Sequence, residues 1–546
     1  MTTMDDRGSP HFSGLDITLD HTLPQLIAHV ADRYGETPFI VGEDGGITSF
    51  AGFRDRVARL GRALIAQGVE HGDRVAIWAP NSPEWIVAAS AIEGIGAIMV
   101  PINTRFKGGE AGYVLGKTRA CLLFTVGAFL GNDYAAMLRD ANGGAGENGR
   151  PVAGLPALRR IVRLDGPGLA AFETELADEA TLAARIAAVR PDTIADILFT
   201  SGTTGQPKGA MHNHGQAMWM PALWNRSNDL RAGDRMVIIN PFFHSFGYRS
   251  GWVSALIAGI TVYPLATFDA EAVLTLIERE KISVLMGPPT LFLSLMEHPR
   301  FGDFDLSSLR VGHTGAANVP IEVIRAGREI FGFDIFLTSF GQTESTALVT
   351  VNYPDASFET IARTVGMPLP GVELKIVDAE GRAVPQGESG ELLVRGPNVM
   401  QGYFEDPEQT AATIDADGWL HTGDVGCIGE DGTLRILDRL KDVVIVGGFN
   451  AYPAEVETIL RQHPAIADIC IIGWPDERMG EVCAACAILK PGAALTLAEL
   501  TGWCRDRMAN YKVPRHLFLV DDFPRTPLGK VQKFLLRERV KDRAAG

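Results

Sequence analysis

The residues best suited to chemistry lie in one short stretch, Thr200-Ser-Gly-Thr-Thr-Gly-Gln-Pro-Lys-Gly209. Gly202 and Gly205 let successive backbone N–H groups turn toward one anion. The hydroxyls of Thr200, Ser201, Thr203 and Thr204 add donors, and Lys208 adds a point charge. The combination is a cradle for phosphate. It differs from the loop that opens a helix with Gly-Lys-Ser/Thr, because Pro207 precedes the lysine and Gly209 follows it. A flexible linker is the competing interpretation, but linkers rarely follow an apolar run such as residues 194–199 and rarely contain Pro-Lys-Gly. A second pattern, Cys483-Ala-Ala-Cys486, has the spacing of a redox or metal half-site. It has no second C-x-x-C and no paired histidines, and it lies inside an apolar run, which favours two small buried side chains.

The elements around these residues alternate. A helix begins near Thr22, where Thr-Leu-Pro-Gln offers a capping box with proline in the first turn. Strand patterns follow at 74–78, 97–100, 195–200, 235–239, 282–286 and 335–337, with helical periodicity between them, as over 83–91. Alternation over that length predicts α/β layers built on largely parallel sheets. Residues 133–156, rich in Gly, Ala and Asn, are expected to form a flexible surface excursion. From Val372 the texture changes to short strands at 373–378, 390–395 and 432–437, a β-rich subdomain. The last hundred residues return to α+β and end in a basic stretch, Lys530 to Arg543.

At 546 residues the chain is too long for one core, and roughly three or four folding units are expected. A formal net charge of −16 gives no electrostatic footprint for nucleic acid or an anionic membrane. The apolar stretch 86–101 is broken by Glu93 and glycines, so it is expected to form buried helix and strand rather than a membrane span. The polar start and the six cysteines lead to the expectation of no signal peptide, no disulfide framework and a cytoplasmic location.

The phosphate loop resembles the signature loop of the adenylate-forming superfamily of acyl-CoA synthetases, luciferases and peptide-synthetase adenylation domains, and further motifs recur in that family's order. Gly315-Ala316-Ala317 and Phe340-Gly341 resemble the adenine segments, with Phe340 where tyrosine is usual. Thr343 and Glu344 follow, implied to meet the α-phosphate and Mg²⁺ respectively, with Thr204 as a second metal ligand. Asp424 in Thr-Gly-Asp is implied to accept from both ribose hydroxyls, and Arg439 to reach the ribose or phosphate. Lys441 falls at the family's hinge, Gly447 and Gly448 at the channel for the pantetheine arm, and Lys530 where a lysine bridges the incoming carboxylate and the α-phosphate. The resemblance thus implies a large N-terminal adenylation domain of layered α/β sheets plus the β-rich subdomain (1–438), a hinge (439–441) and a small mobile α+β domain (442–546).

Pro241-Phe-Phe-His-Ser-Phe-Gly-Tyr-Arg249 resembles the aromatic segment beside the acyl pocket. Phe243, Tyr248 and Arg249 are therefore candidate pocket residues. His244 either places the carboxylate or is a neutral packed imidazole. Arg249 either pairs with a carboxylate or donates to a polar group on the acid, such as a ring ketone. With Gly287-Pro-Pro-Thr290, this stretch is similar to that of bacterial ligases of steroid-ring catabolism, which activate a propanoate on a bicyclic diketone. Medium-chain and aryl-acid ligases share much of the pattern. The implied activity is AMP-forming acid–CoA ligation with ATP, CoA and Mg²⁺. Two alternatives stay open: a free-standing enzyme that loads a carrier protein, and a nucleotide-binding regulator without turnover. A homodimer also stays open.

Overall fold

The computed structural model describes residues 11–12, 15–146, 151–200, 207–315, 319–446, 449–476, 478–505, 507–526 and 529–544. Two large sheets form the body. The first has six strands in the order Lys208–Asn213, Ile194–Thr200, Ile98–Pro101, Arg74–Trp78, Leu122–Thr125, Arg160–Arg163. It is parallel except where Lys208–Asn213 folds back antiparallel on Ile194–Thr200. The second has nine strands, centred on the parallel run Ile335–Phe340, Val311–Thr314, Val284–Gly287, Arg235–Ile238, Thr261–Pro264. Parallel strands buried on both faces require continuous apolar runs, and Arg74–Trp78 and Val284–Gly287 supply them.

Between the sheets lies the helix Pro83–Gly94, capped by the Ser82 side chain and buried around its whole circumference, Glu93 included. A helix enclosed on all sides needs no polar face, which explains why its sequence is apolar apart from Glu84, Ser90 and Glu93. The first helix, Leu23–Tyr34, starts at the expected Thr22 cap, complete with the capping box to Gln25. A four-stranded antiparallel sheet, Glu373–Val377, Gly390–Arg395, Leu420–Ile428 and Leu434–Arg439, forms the β-rich part. One 3₁₀ turn, Leu440–Asp442, leads from it to the last sheet, in which Gly480–Leu489 pairs with Ile466–Asp476, Val444–Val446 and His516–Leu519. That sheet has its own core, built from residues such as Val444, Ile471, Ala485 and Leu500. None of the helices among the described residues is long and apolar enough to cross a membrane.

One expectation needs correction, and the buried reading of the cysteine pair holds. Residues 133–156 are not simply an excursion: Asp133 caps the helix Tyr134–Ala141, and Tyr134, Leu138, Val152 and Leu155 are buried. The glycines obscure an i, i+4 apolar pair that anchors the segment. The cysteine spacing is settled by strand geometry. Cys483 and Cys486 lie on one strand and pack into cores on opposite faces of the sheet. An i, i+3 pair on a strand points in opposite directions, so the two thiols cannot cooperate. Burial pushes both up to about 12.

Candidate functional site

The phosphate loop is flanked by two antiparallel strands, Ile194–Thr200 and Lys208–Asn213. Thr200 and Lys208 face each other where the two strands meet, and Ser201, Gly202, Thr203, Thr204 and Gly205 lie outside the described residues. Gly209 has to be glycine, because a Cβ there would sit 2.5 Å from Ile197. Lys208 donates to Gln409 Oε1 and lies 5.2 Å over the Tyr403 ring. Tyr403 in turn donates to Glu344 Oε1 at 2.9 Å, so one aromatic residue touches both the loop lysine and the candidate metal carboxylate. Burial and the Glu344 charge hold the Tyr403 hydroxyl protonated, as a donor.

Thr343, Glu344 and Ser345 form a single 3₁₀ turn after Ile335–Phe340. The turn leads into Thr346 and Ala347, both at positive φ. Non-glycine residues persist there only when their surroundings hold them. Here the Thr343 carbonyl accepts from His212 Nε2 (2.8 Å), the Glu344 carbonyl from Met400 N–H (2.9 Å), and Thr346 Oγ1 donates to the Asn398 carbonyl (2.7 Å). Gly341 is equally constrained, since a Cβ would lie 2.0 Å from the Ala347 carbonyl oxygen. Phe340 is half-buried at the end of its strand, and Gly315 lies beside the Ser339 carbonyl across the sheet; Ala316 and Ala317 lie outside the described residues.

Asp424 and Arg439 are cross-strand partners, joined by Nε to Oδ1 at 2.7 Å. Asp424 is 3% exposed, and its Oδ2 has no hydrogen-bond partner in the protein. Burial raises this carboxyl to about 6, while Arg439 and Lys530 act in the opposite direction. Lys530 is solvent-exposed, and the charges of Arg439, Asp424, Asp442 and Lys441 act on it; desolvation first, and Arg439 second, lower its ammonium below the ordinary lysine value. The preceding Gly529 packs on the body of the protein, with its Cβ position 3.4 Å from Thr290 Oγ1. Lys441 occupies the 3₁₀ turn, lowered chiefly by burial, and Gly447 and Gly448 lie outside the described residues.

The aromatic segment divides. Phe243 and His244 are partly exposed. His244 Nδ1 accepts from Phe246 N–H, and burial lowers the imidazole to about 4, so it is neutral. Tyr248 and Arg249 open a π-helical turn, Tyr248–Val253, and both are fully buried. Arg249 Nη2 donates to Asp196, and Tyr248 donates to Glu93 Oε1 at 2.5 Å. Of the two readings of Arg249, the carboxylate pairing is present, through Nη2 to Asp196, while Nε and Nη1 have no hydrogen-bond partner among the described residues; a guanidinium in a dry interior needs such a compensating carboxylate. Sequence reasoning also missed His212, Tyr403 and Gln409, whose roles arise from contacts with residues distant in the sequence.

The AMP-binding enzyme model matches residues 27–404 and the AMP-binding enzyme C-terminal domain model matches 455–530. The chain is 44% identical over 530 residues to a 3-(7a-methyl-1,5-dioxo-octahydro-1H-inden-4-yl)propanoyl:CoA ligase of Rhodococcus jostii, spanning 95% of this chain and 99% of that one. It is 45% identical over 522 residues to the ligase of the same name from Mycobacterium tuberculosis, spanning 95% and 98%. Among solved structures it resembles the anthranilate CoA ligase AuaEII in complex with anthranoyl-AMP, with TM-score 0.84 and 29% identity over 97% of this chain and 99% of that one. The chain belongs to the AMP-binding enzyme family. Within it, the full-length likeness makes it an AMP-forming acid–CoA ligase, with ATP and CoA as substrates.

Proposed function

We propose that the acid is a propanoate borne on a bicyclic diketone of the steroid-ring type, activated in two half-reactions on the residues described above. The full-length likeness to ligases named for that acid supports the substrate. The observation that carries the site is the spare, buried Oδ2 of Asp424, an acceptor suited to a vicinal diol. In the first half-reaction the carboxylate attacks the α-phosphorus of ATP and pyrophosphate leaves. The 200–205 loop and Lys208 hold the phosphates. Gly315, Ala316, Ala317, Phe340 and Gly341 flank the adenine, and Asp424 and Arg439 hold the ribose. Thr343 meets the α-phosphate, and Lys530 lowers the repulsion between the two anions. Glu344, with Thr204, would hold Mg²⁺. One or two hard oxygens plus substrate phosphates suit that ion, and it would neutralise the departing charge. In the second half-reaction the CoA thiol attacks the acyl carbonyl and AMP leaves. The 442–546 domain turns about Lys441, and the thiol enters past Gly447 and Gly448. Phe243 and His244 border the acyl side. The neutral imidazole of His244 can donate from Nε2 to a carboxylate without adding charge. The six free cysteines suit a reducing cytoplasm.

The test is CoA-dependent AMP release across a panel: the bicyclic diketone propanoate, octanoate and an aryl acid. The expected result is a kcat/KM for the bicyclic acid at least tenfold above the others. Equal or better turnover of octanoate would move the chain to the medium-chain class. Acyl-AMP formation with no transfer to CoA would favour a carrier-protein acceptor.

A further inference from the structure

The described site has a buried partner on its inner side. His212 is fully buried on the strand Lys208–Asn213, which follows the phosphate loop. Its ring bridges two acceptors. Nδ1 lies 2.8 Å from Asp196 Oδ1, and Nε2 lies 2.8 Å from the backbone carbonyl of Thr343. A carbonyl can only accept, so Nε2 carries hydrogen. The carboxylate of Asp196, held ionised by Arg249 and His212 against the cost of its burial, faces Nδ1. The other Asp196 oxygen takes Arg249 Nη2 and the Tyr248 hydroxyl. Every atom that could let the imidazole turn is thus occupied, and the ring has one orientation.

We infer that His212 is a positioning residue for adenylation: clamped by Asp196 and Arg249, it fixes the Thr343 carbonyl and so aims the Thr343–Ser345 turn at the triphosphate and its metal. The turn needs such a clamp. It runs into two non-glycine residues at positive φ, and the restraints that reach it from other segments, the Met400 N–H, the Asn398 carbonyl and the Tyr403 hydroxyl, act on Glu344 and Thr346, whereas His212 acts on Thr343. The carbonyl of Thr343 and the side chain of Thr343 belong to one residue, so a shift of the first misplaces the second. The inference rests on the proposed roles of Thr343 and Glu344. It places no contact between His212 and substrate.

The experiment measures ATP–pyrophosphate exchange against Mg²⁺ concentration in the full-length protein. In parallel it measures thioester formation from synthetic acyl-AMP and CoA, which bypasses the triphosphate. His212→Leu is expected to raise the Mg²⁺ half-saturation and lower kcat/KM for ATP roughly tenfold, the loss of one buried hydrogen bond. The KM for the acid and the thioester half should stay within twofold. His212→Gln, whose amide can still donate to the Thr343 carbonyl, should recover most of the loss. An equal fall in both half-reactions, or an unchanged Mg²⁺ dependence in His212→Leu, overturns the inference. If the leucine variant does not fold, the glutamine variant decides alone: a Mg²⁺ half-saturation within twofold of wild type supports the clamp, and a drop shared by both halves overturns it. Glu344→Gln separates the two levels. Should that variant keep wild-type Mg²⁺ dependence, the metal assignment itself fails; should it lose it while His212→Leu does not, only the positioning role fails.

Discussion

Among the arginine–aspartate pairs of the described residues, Arg439–Asp424 and Arg249–Asp196 differ in what the aspartate has left to give. At the candidate nucleotide site, Arg439 and Asp424 pair with side-chain exposures of 32% and 4%, and Asp424 keeps one buried oxygen without a hydrogen-bond partner. In the interior, Arg249 and Asp196 pair at 0% and 0%, and both Asp196 oxygens are used, by His212 on one side and Arg249 with Tyr248 on the other. The environments push the two carboxyls apart: burial wins at Asp424, raised to about 6, whereas Arg249 and His212 win at Asp196, which is lowered. A carboxylate that is buried, raised and half-satisfied is poised to accept from a ligand. One that is buried, lowered and fully satisfied holds elements together.

The comparison breaks hardest at its interior member. Arg249→Met leaves Asp196 charged in a dry core, and removing one partner of a buried pair typically costs about 3–5 kcal/mol. The expected outcome is a large drop in unfolding midpoint. Activity on a keto-bearing bicyclic acid and on a plain alkanoate should fall together. A selective rise in KM for the keto acid, with stability intact, would return Arg249 to the acyl pocket.

At the candidate nucleotide site the effect should be kinetic. Lys530→Ala is expected to lower acyl-adenylate formation by about a hundred- to thousandfold, the usual cost of a lost donor to developing phosphoryl charge, while sparing thioester formation from synthetic acyl-AMP. The half-reactions assayed separately give the answer, and equal loss in both removes Lys530 from adenylation. Asp424→Asn should be milder: kcat/KM for ATP down roughly tenfold, with an unfolding midpoint close to wild type, because Arg439 has water to turn to. A midpoint loss as large as that of Arg249→Met would erase the distinction between the pairs.

How much of this was legible depended on the range of the contact. Local signals were read well: Thr22 is the helix cap expected, and Arg74–Trp78 and Gly390–Arg395 match the strand patterns residue for residue. Most of the candidate nucleotide residues were named from motif order. Contacts spanning many residues were not readable. Nothing near Tyr403 in sequence announces Glu344, 59 residues earlier, and nothing near His212 announces Thr343, 131 residues later. Arg249 is the instructive case. An arginine in an aromatic run requires a compensating carboxylate, but the sequence offers many, and only the fold brings Asp196, 53 residues away, to it.

Glu93 gives the smallest and most particular test of the interior pair, because it is the acid that shares its space. It sits fully buried on the helix Pro83–Gly94, accepts from Tyr248, and is raised from 4.5 to about 8, by burial first and by the Asp196 charge second. Between those two values the folded chain holds a proton that the unfolded chain has released, so this group's contribution to stability falls as pH rises from 4.5 through 8. Glu93→Gln removes the titration while keeping a neutral acceptor for Tyr248. Relative to the variant, wild type should lose about 1 kcal/mol between pH 7 and pH 8, where the slope from one such group approaches 1.4 kcal/mol per pH unit. Denaturant unfolding of both proteins at pH 6, 7 and 8 measures it, and the gap should widen in the variant's favour toward alkaline pH. Parallel curves would mean that Glu93 is already ionised at neutral pH. The interior would then hold Glu93 and Asp196 as two charged acids against Arg249 and His212, and the contrast with the half-satisfied Asp424 would have to rest on hydrogen bonding alone.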